Sequence, residues 1–174
     1  MFDLEAITRK NIHAIEPYHV WRDAYLEDPK TIFLDNCENN FGSPLGKGYE
    51  RYPSSSQALL RAAIAKHKQV DVTNLALGNG SDELIDLLIR CFCEPRRDSV
   101  LVCEPTFGMY RIYAQFNDIA VLNAPLSATS FLVDEQLILK TAEPNTKIIF
   151  ICSPNNPTGT SIGREQLKNI AGNF

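Results

Sequence analysis

The chain has 174 residues, of which 44% are hydrophobic and 22% charged, and its formal net charge is −4. This composition is that of an ordinary globular protein and excludes a disordered, collagen-like or low-complexity chain. The acidic balance, without a dense cluster of Lys and Arg, argues against nucleic acid or an anionic membrane as the main partner. No apolar run approaches the roughly 20 residues that a membrane-spanning helix needs.

Residues 1–53 are predicted to form an irregular N-terminal arm followed by a loop region. We expect one short helix in the arm and a short strand at 31–34. Between residues 35 and 53 the chain carries three Gly, two Pro and three Asn, which is typical of a loop. An irregular stretch of this length in a compact protein is usually functional or spans two domains.

From residue 54 onward, apolar runs of strand length alternate with amphipathic helical patterns. Such alternation predicts an α/β domain over 54–174, with a mostly parallel sheet covered by helices on both faces. In sheets of this kind, ligands bind at the carboxyl ends of the strands. The pattern predicts helices over 54–68, 81–93, 105–116, 134–142 and 163–171, and strands over 75–77, 99–103, 119–122 and 147–152.

The five cysteines are odd in number and lack the paired spacing of a disulfide framework. The three histidines are not spaced with them as zinc ligands would be, so we expect no metal site. Free thiols and the lack of a secretory signal pattern in the first residues together favour a cytoplasmic protein.

The segment GNGSDE at 78–83 joins a glycine turn directly to a predicted helix. The first amides of a helix have no intrahelical partner and the helix dipole is positive there, so a phosphate would be favoured. The alternative is that Ser81 or Asp82 simply caps the helix. Glu83 stands where a dinucleotide fingerprint needs its third glycine, which disfavours a nicotinamide-binding domain.

Two further loops follow predicted strands. In SPNNPTG (153–159), two prolines restrict the backbone and can hold an Asn side chain over the sheet edge, although an ordinary turn explains the same residues. In PTFGMY (105–110), Phe107 either stacks on a planar ligand or belongs to the core. The exposed phenols in YERYP (49–53) are able to donate to a phosphate, but surface tyrosines are common.

RYP at 51–53, GNGSDE, PTFGMY and SPNNPTG occur in the order seen in the histidinol-phosphate aminotransferases. The sequence resembles that family, a branch of the fold-type-I enzymes that use pyridoxal 5′-phosphate. The resemblance implies a three-layer, mostly parallel sheet that is incomplete at its C-terminus, and a homodimer at full length. It also implies amino transfer between L-histidinol phosphate and 2-oxoglutarate, with imidazole acetol phosphate and glutamate as products and the cofactor as electron sink.

The same resemblance implies five cofactor-binding residues. The backbone N–H groups of Ser81 and Asp82 would hold the cofactor phosphate. Phe107 would stack on the pyridine ring, and Asn156 would hydrogen-bond the ring hydroxyl oxygen. Tyr52 would reach across a dimer interface to the phosphate of the neighbouring subunit's cofactor.

Two residues are implied to bind substrate: Tyr18, which would help hold the substrate phosphate from the neighbouring subunit, and Glu38. Glu38 lies in a segment that follows the family's L-N-x-N-E-N-P pattern, from which Asp35, Cys37 and Asn40 depart. These departures leave open another fold-type-I enzyme, such as an aromatic aminotransferase or a threonine-phosphate decarboxylase.

No residue of this chain is assigned a catalytic role. The family's D-E-A-Y strand, its Schiff-base lysine and its phosphate- and carboxylate-binding arginines would all follow Phe174. We therefore expect the N-terminal half of an enzyme, inactive by itself. The alternative is a truncated, non-catalytic protein that acts through binding.

Overall fold

The computed structural model describes residues 3–18, 31–46 and 49–174. The chain divides into two compact units, one made of Met1–Ile15 with Gly78–Phe174 and the other of Glu16–Leu77. The division into an arm (1–53) and a large domain (54–174) stays a prediction, and part of the arm, residues 19–30, lies outside the described residues.

From residue 80 onward, helices and strands alternate along the chain. Within the described residues, the α-helices are α1 (Leu4–Ile7), α2 (Lys10–His13), α3 (Ala58–Lys68), α4 (Gly80–Phe92), α5 (Met109–Phe116), α6 (Glu135–Thr141) and α7 (Arg164–Asn173), and the strands are β1 (Ser99–Val102), β2 (Ala120–Asn123) and β3 (Thr146–Phe150).

The three strands form one parallel sheet in the order β2-β1-β3. Val102 at the end of β1 is paired with Asn123 on one side and Phe150 on the other. All four residues of β1 are buried, as expected for the central strand of a covered parallel sheet. The predicted parallel sheet is therefore confirmed.

Side chains of β1 point alternately into two hydrophobic clusters, one on each face of the sheet. Val100 and Val102 lie in a first cluster with Ile85 and Ile89 of α4. Leu101 lies in a second cluster to which Ile138 of α6 and Ile170 of α7 contribute. Both faces are thus covered by helices, and both depend on the same central strand.

Two predicted strands are wrong. Residues 31–34 have no strand structure, and Ile32 and Leu34 are 82% and 85% exposed. Residues 75–77 are also irregular. An apolar triplet becomes a strand only where a neighbour accepts its hydrogen bonds, and the Leu75 carbonyl instead accepts a bond from the Arg61 guanidinium, at 3.1 Å.

Several element boundaries also differ from the predictions. Helix α3 begins at Ala58 after Gln57, whose φ is +46°, so the predicted cap at Ser54–Ser56 is wrong. Helix α5 begins at Met109 rather than at residue 105, because the PTFG segment forms a loop. The cations expected in the last turn of α3 are confirmed.

The start of the chain contains two single-turn helices, α1 and α2, where one short helix is predicted. Arg9 between them attaches this segment to the end of α4. Its backbone N–H donates to the Cys91 carbonyl at 3.0 Å, and its guanidinium donates to the Arg90 carbonyl at 2.9 Å and to the Glu94 carboxylate at 3.1 Å.

Candidate functional site

The loops that follow β1 and β3 meet at the carboxyl edge of the sheet and are joined by Asn155. This side chain is buried, and its Oδ1 accepts a bond from the Thr106 hydroxyl at 2.8 Å. Its Nδ2 donates to the Pro105 carbonyl at 3.0 Å and to the Thr158 hydroxyl at 2.8 Å. Asn155 therefore fixes the SPNNPTG loop against the PTFGMY loop.

Sequence reasoning missed this role, because it could not distinguish the two neighbouring asparagines. Asn156, one residue on, is exposed, and its side chain makes no hydrogen bond with the described residues. Its amide is therefore available to a ligand at the sheet edge, in the place where the resemblance puts a contact to the cofactor ring.

An aromatic group follows β1. The ring of Phe107 meets that of Tyr110 edge-on, with centroids 5.6 Å apart, and Tyr110 stacks on Phe150 at 4.7 Å. Burial, together with the neighbouring Cys152 thiol, raises the pKa of Tyr110 to about 12. Phe107 is half-buried against the first hydrophobic cluster, so part of its ring packs in the core and part remains accessible.

Helix α4 begins at Gly80, whose φ of +78° is readily adopted only by glycine, and Asn79 occupies the N-cap position. The Glu83 carboxylate reaches back and accepts bonds from the Asn79 backbone N–H and side-chain amide. Ser81 and Asp82 lie in the first turn rather than at the cap, so the alternative in which either residue caps the helix is wrong.

The turn before α4 is tightly packed. A Cβ on Gly78 would come within 2.9 Å of the Glu83 carboxylate and 3.0 Å of the Leu84 side chain. The carboxylate atom Oδ1 of Asp82 is buried and has no hydrogen-bond partner among the described residues. A buried carboxylate oxygen without a partner is uncommon, and it marks the first turn of α4 as a place where a donor is missing.

The remaining predicted site residues lie in the unit formed by Glu16–Leu77. Tyr18 is 91% exposed and Tyr52 is 56% exposed. The Glu38 side chain is only 2% exposed. Its two oxygens accept bonds from the Arg51 guanidinium at 2.6 Å and from the Tyr52 backbone N–H at 2.7 Å.

Pyridoxal 5′-phosphate fits the residues at the carboxyl edge of the sheet. The positive end of α4, a 13-residue helix, suits the phosphate group. Phe107 offers a ring for stacking, and the free Asn156 amide offers a hydrogen bond to a ring substituent.

A family model for aminotransferase class I and II matches residues 38–173. The chain belongs to this family. It is 43% identical to the histidinol-phosphate aminotransferase of Cytophaga hutchinsonii over 173 residues, which are 99% of the chain and 49% of that protein. The chain thus spans about half the length of the curated relatives that it matches.

Solved protein structures share the fold of this chain. N-succinyldiaminopimelate aminotransferase from Mycobacterium tuberculosis superposes with a TM-score of 0.64 and 27% identity, over 71% of the chain and 34% of that protein. Cystalysin from Treponema denticola, whose structure contains a pyridoxal 5′-phosphate cofactor, superposes with a TM-score of 0.58 and 17% identity. The match covers 71% of the chain and 32% of cystalysin. The predicted fold class and family resemblance are confirmed.

The roles of the individual site residues stay predictions for this aminotransferase chain. Among the described residues, none of the helices is long and apolar enough to cross a membrane.

Proposed function

We propose that this chain forms part of the active site of an aminotransferase that moves an amino group between L-histidinol phosphate and 2-oxoglutarate. The observation that supports the proposal is that the loops bearing Phe107 and Asn156 follow β1 and β3 at the carboxyl edge of the sheet and are joined there by Asn155. The 43% identity to a histidinol-phosphate aminotransferase supports the substrate pair.

Each proposed residue performs a binding or orienting task. The first-turn amides of Ser81 and Asp82 hold the cofactor phosphate, assisted by the helix dipole. Phe107 lies against the pyridine ring, and Asn156 donates to the ring hydroxyl oxygen. The Tyr52 phenol of a neighbouring subunit donates a hydrogen bond to the same phosphate. When bound, pyridoxal 5′-phosphate supplies the electron sink for amino transfer.

Asn155 does not touch the cofactor in this scheme. It holds the two loops that carry Phe107 and Asn156 in a fixed relation, so that the ring and the amide meet one ligand at the same time. Fixed placement of contact groups lowers the ordering cost of binding.

The experiment is a comparison of pyridoxal 5′-phosphate with pyridoxal, which lacks the phosphate, by equilibrium dialysis against the 174-residue chain. We expect preference for the phosphorylated form, and weaker binding by Asn156→Ala. Asn169→Ala, an exposed asparagine on α7, is the matched control. Equal affinity for the two forms would contradict the proposed phosphate site.

The substrate is tested separately, in a protein that contains this chain together with the Schiff-base lysine expected after it. We expect glutamate formation from 2-oxoglutarate to require L-histidinol phosphate. The departures at Asp35, Cys37 and Asn40 favour a second candidate, a fold-type-I enzyme for another amino acid. Faster turnover with an aromatic amino acid, or release of CO₂ from threonine phosphate, would support that candidate instead.

We also propose that the lysine-containing protein is a homodimer. The roles given to Tyr18 and Tyr52 require it, because each side chain would act on the site of the neighbouring subunit. Both side chains are exposed, as residues that reach a partner must be before assembly. Light scattering on the lysine-containing protein should give twice the mass of one chain. A monomer with full activity would contradict the role of both tyrosines.

A further inference from the structure

Glu38 is the inward-facing residue of an otherwise exposed segment. Residues 34–37 and 39–41 are all exposed, with Leu34 at 85% and Phe41 at 102%. The Glu38 side chain is 2% exposed. Apolar side chains thus face outward here while a carboxylate is buried, which reverses the usual preference and requires compensating contacts.

The contacts of Glu38 supply that compensation. Oε2 accepts from Arg51 Nη1 at 2.6 Å, and Oε1 accepts from the Tyr52 backbone N–H at 2.7 Å. Charge-assisted hydrogen bonds of this length are about twice as strong as neutral ones. Both carboxylate oxygens are therefore committed to consecutive residues of the RYP segment.

We propose that Glu38 is a positioning residue, which fixes the backbone of Tyr52 and so directs its phenol, rather than a residue that touches substrate. With both oxygens engaged and its side chain almost fully covered, Glu38 has little surface to offer a ligand. Tyr52 is 56% exposed, so its backbone is held while its side chain stays free to bind. The identity of the ligand that the Tyr52 phenol binds rests on the proposed function, whereas the contact between Glu38 and the Tyr52 backbone does not.

The first test follows trypsin cleavage of the Arg51–Tyr52 bond in the 174-residue chain. Cleavage in a folded protein reports local opening, which the two bonds to Glu38 oppose. Glu38→Gln removes the ion pair but keeps an acceptor for the Tyr52 N–H, whereas Glu38→Ala removes both. We expect cleavage to rise about tenfold in Glu38→Ala and by less in Glu38→Gln.

Glu50→Gln is the matched control, because it removes the same charge one residue from Arg51. Glu50 Oε2 has no hydrogen-bond partner among the described residues. The rate of cleavage after Arg51 in Glu50→Gln should therefore equal that of the wild type. Cleavage after Arg111, in the other compact unit, should be unchanged in every variant and checks that the chain remains folded. An unchanged rate at Arg51 in Glu38→Ala would overturn the proposal.

The second test asks whether Glu38 acts through Tyr52, by measuring the affinity of the lysine-containing protein for pyridoxal 5′-phosphate and for pyridoxal. Tyr52→Phe and Glu38→Ala should each weaken binding of the phosphorylated form only, and the double variant should lose no more than the stronger single one. Additive losses would refute action through Tyr52. No effect of Tyr52→Phe would contradict the proposed cofactor role of Tyr52, while the trypsin result would still decide whether Glu38 holds the loop.

Discussion

Replacing Asn155 by alanine is the perturbation whose cost the structure defines best. The change deletes one accepted and two donated side-chain hydrogen bonds, at 2.8, 3.0 and 2.8 Å. Each such bond contributes about 0.5–1.5 kcal/mol net, and buried partners left unpaired add to the loss. Thr158 keeps a second bond, to the Thr160 hydroxyl, which limits the penalty there.

We therefore expect Asn155→Ala to lower the free energy of unfolding by about 2–4 kcal/mol. In a chain of this length, that loss corresponds to a fall in melting temperature of roughly 5–15 °C. Urea unfolding followed by circular dichroism measures the change, and an unaltered slope would show that stability alone has changed.

Asn156→Ala is the control, because it removes the same group from the adjacent residue. Its side chain is exposed and makes no hydrogen bond with the described residues, so stability should change by less than about 0.5 kcal/mol. Asn156→Ala should instead greatly weaken the binding of pyridoxal 5′-phosphate. Equal loss of stability in the two variants would refute the assignment of Asn155 as the residue that joins the loops.

Four further predictions concern other parts of the chain. Gly80→Ala, at φ +78°, should cost about 1–2 kcal/mol in urea unfolding, whereas Gly163→Ala, at φ −72°, should cost far less. At pH 8 an alkylating reagent should modify exposed Cys37 but not Cys93 or Cys103, since burial raises their pKa values to about 12 and about 11. Both folded-state pKa values exceed the ordinary thiol value of 9.0, so the stability due to these protonated thiols is present below pH 9 and is lost as pH rises towards 11–12. The melting temperature should therefore fall between pH 9 and pH 12. A melting temperature that does not change over this pH range would contradict the prediction. Arg9→Ala should speed hydrogen exchange in α1 and α2 while leaving β1 protected, and equal exchange in wild type and variant would show that Arg9 does not anchor the segment.

The sheet was predictable because its signal is strong and redundant. The runs at 99–103 and 147–152 are apolar after their first residues, Ser99 and Lys147, and helical patterns separate them, which favours a covered parallel sheet. The short segments at 31–34 and 75–77 also contain strand-type apolar residues, but neither forms a strand. Strand formation there depends on a hydrogen-bonding neighbour, which local sequence does not specify.

The sequence was sufficient to predict which loops form the candidate site. It was not sufficient to predict which side chains in those loops are structural and which are free to bind a ligand. Nothing in SPNNPTG distinguishes a buried asparagine from an exposed one, since the distinction comes from Thr106 and Pro105, about 50 residues earlier in the chain. Glu38 shows the same limit. Its pattern match indicated a ligand contact, whereas its burial and its bonds to Arg51 and Tyr52 are tertiary features.

The position of β1 at the centre of the sheet also sets the timing of folding during synthesis. Val102 is paired with Asn123 on one side and with Phe150, 48 residues later, on the other. At a translation rate of roughly 5–20 residues per second, the second partner emerges about 2–10 s after β1 itself. For that interval one edge of β1, a buried and largely apolar strand, is unpaired, so the nascent chain is most exposed to misassociation before β3 has left the ribosome.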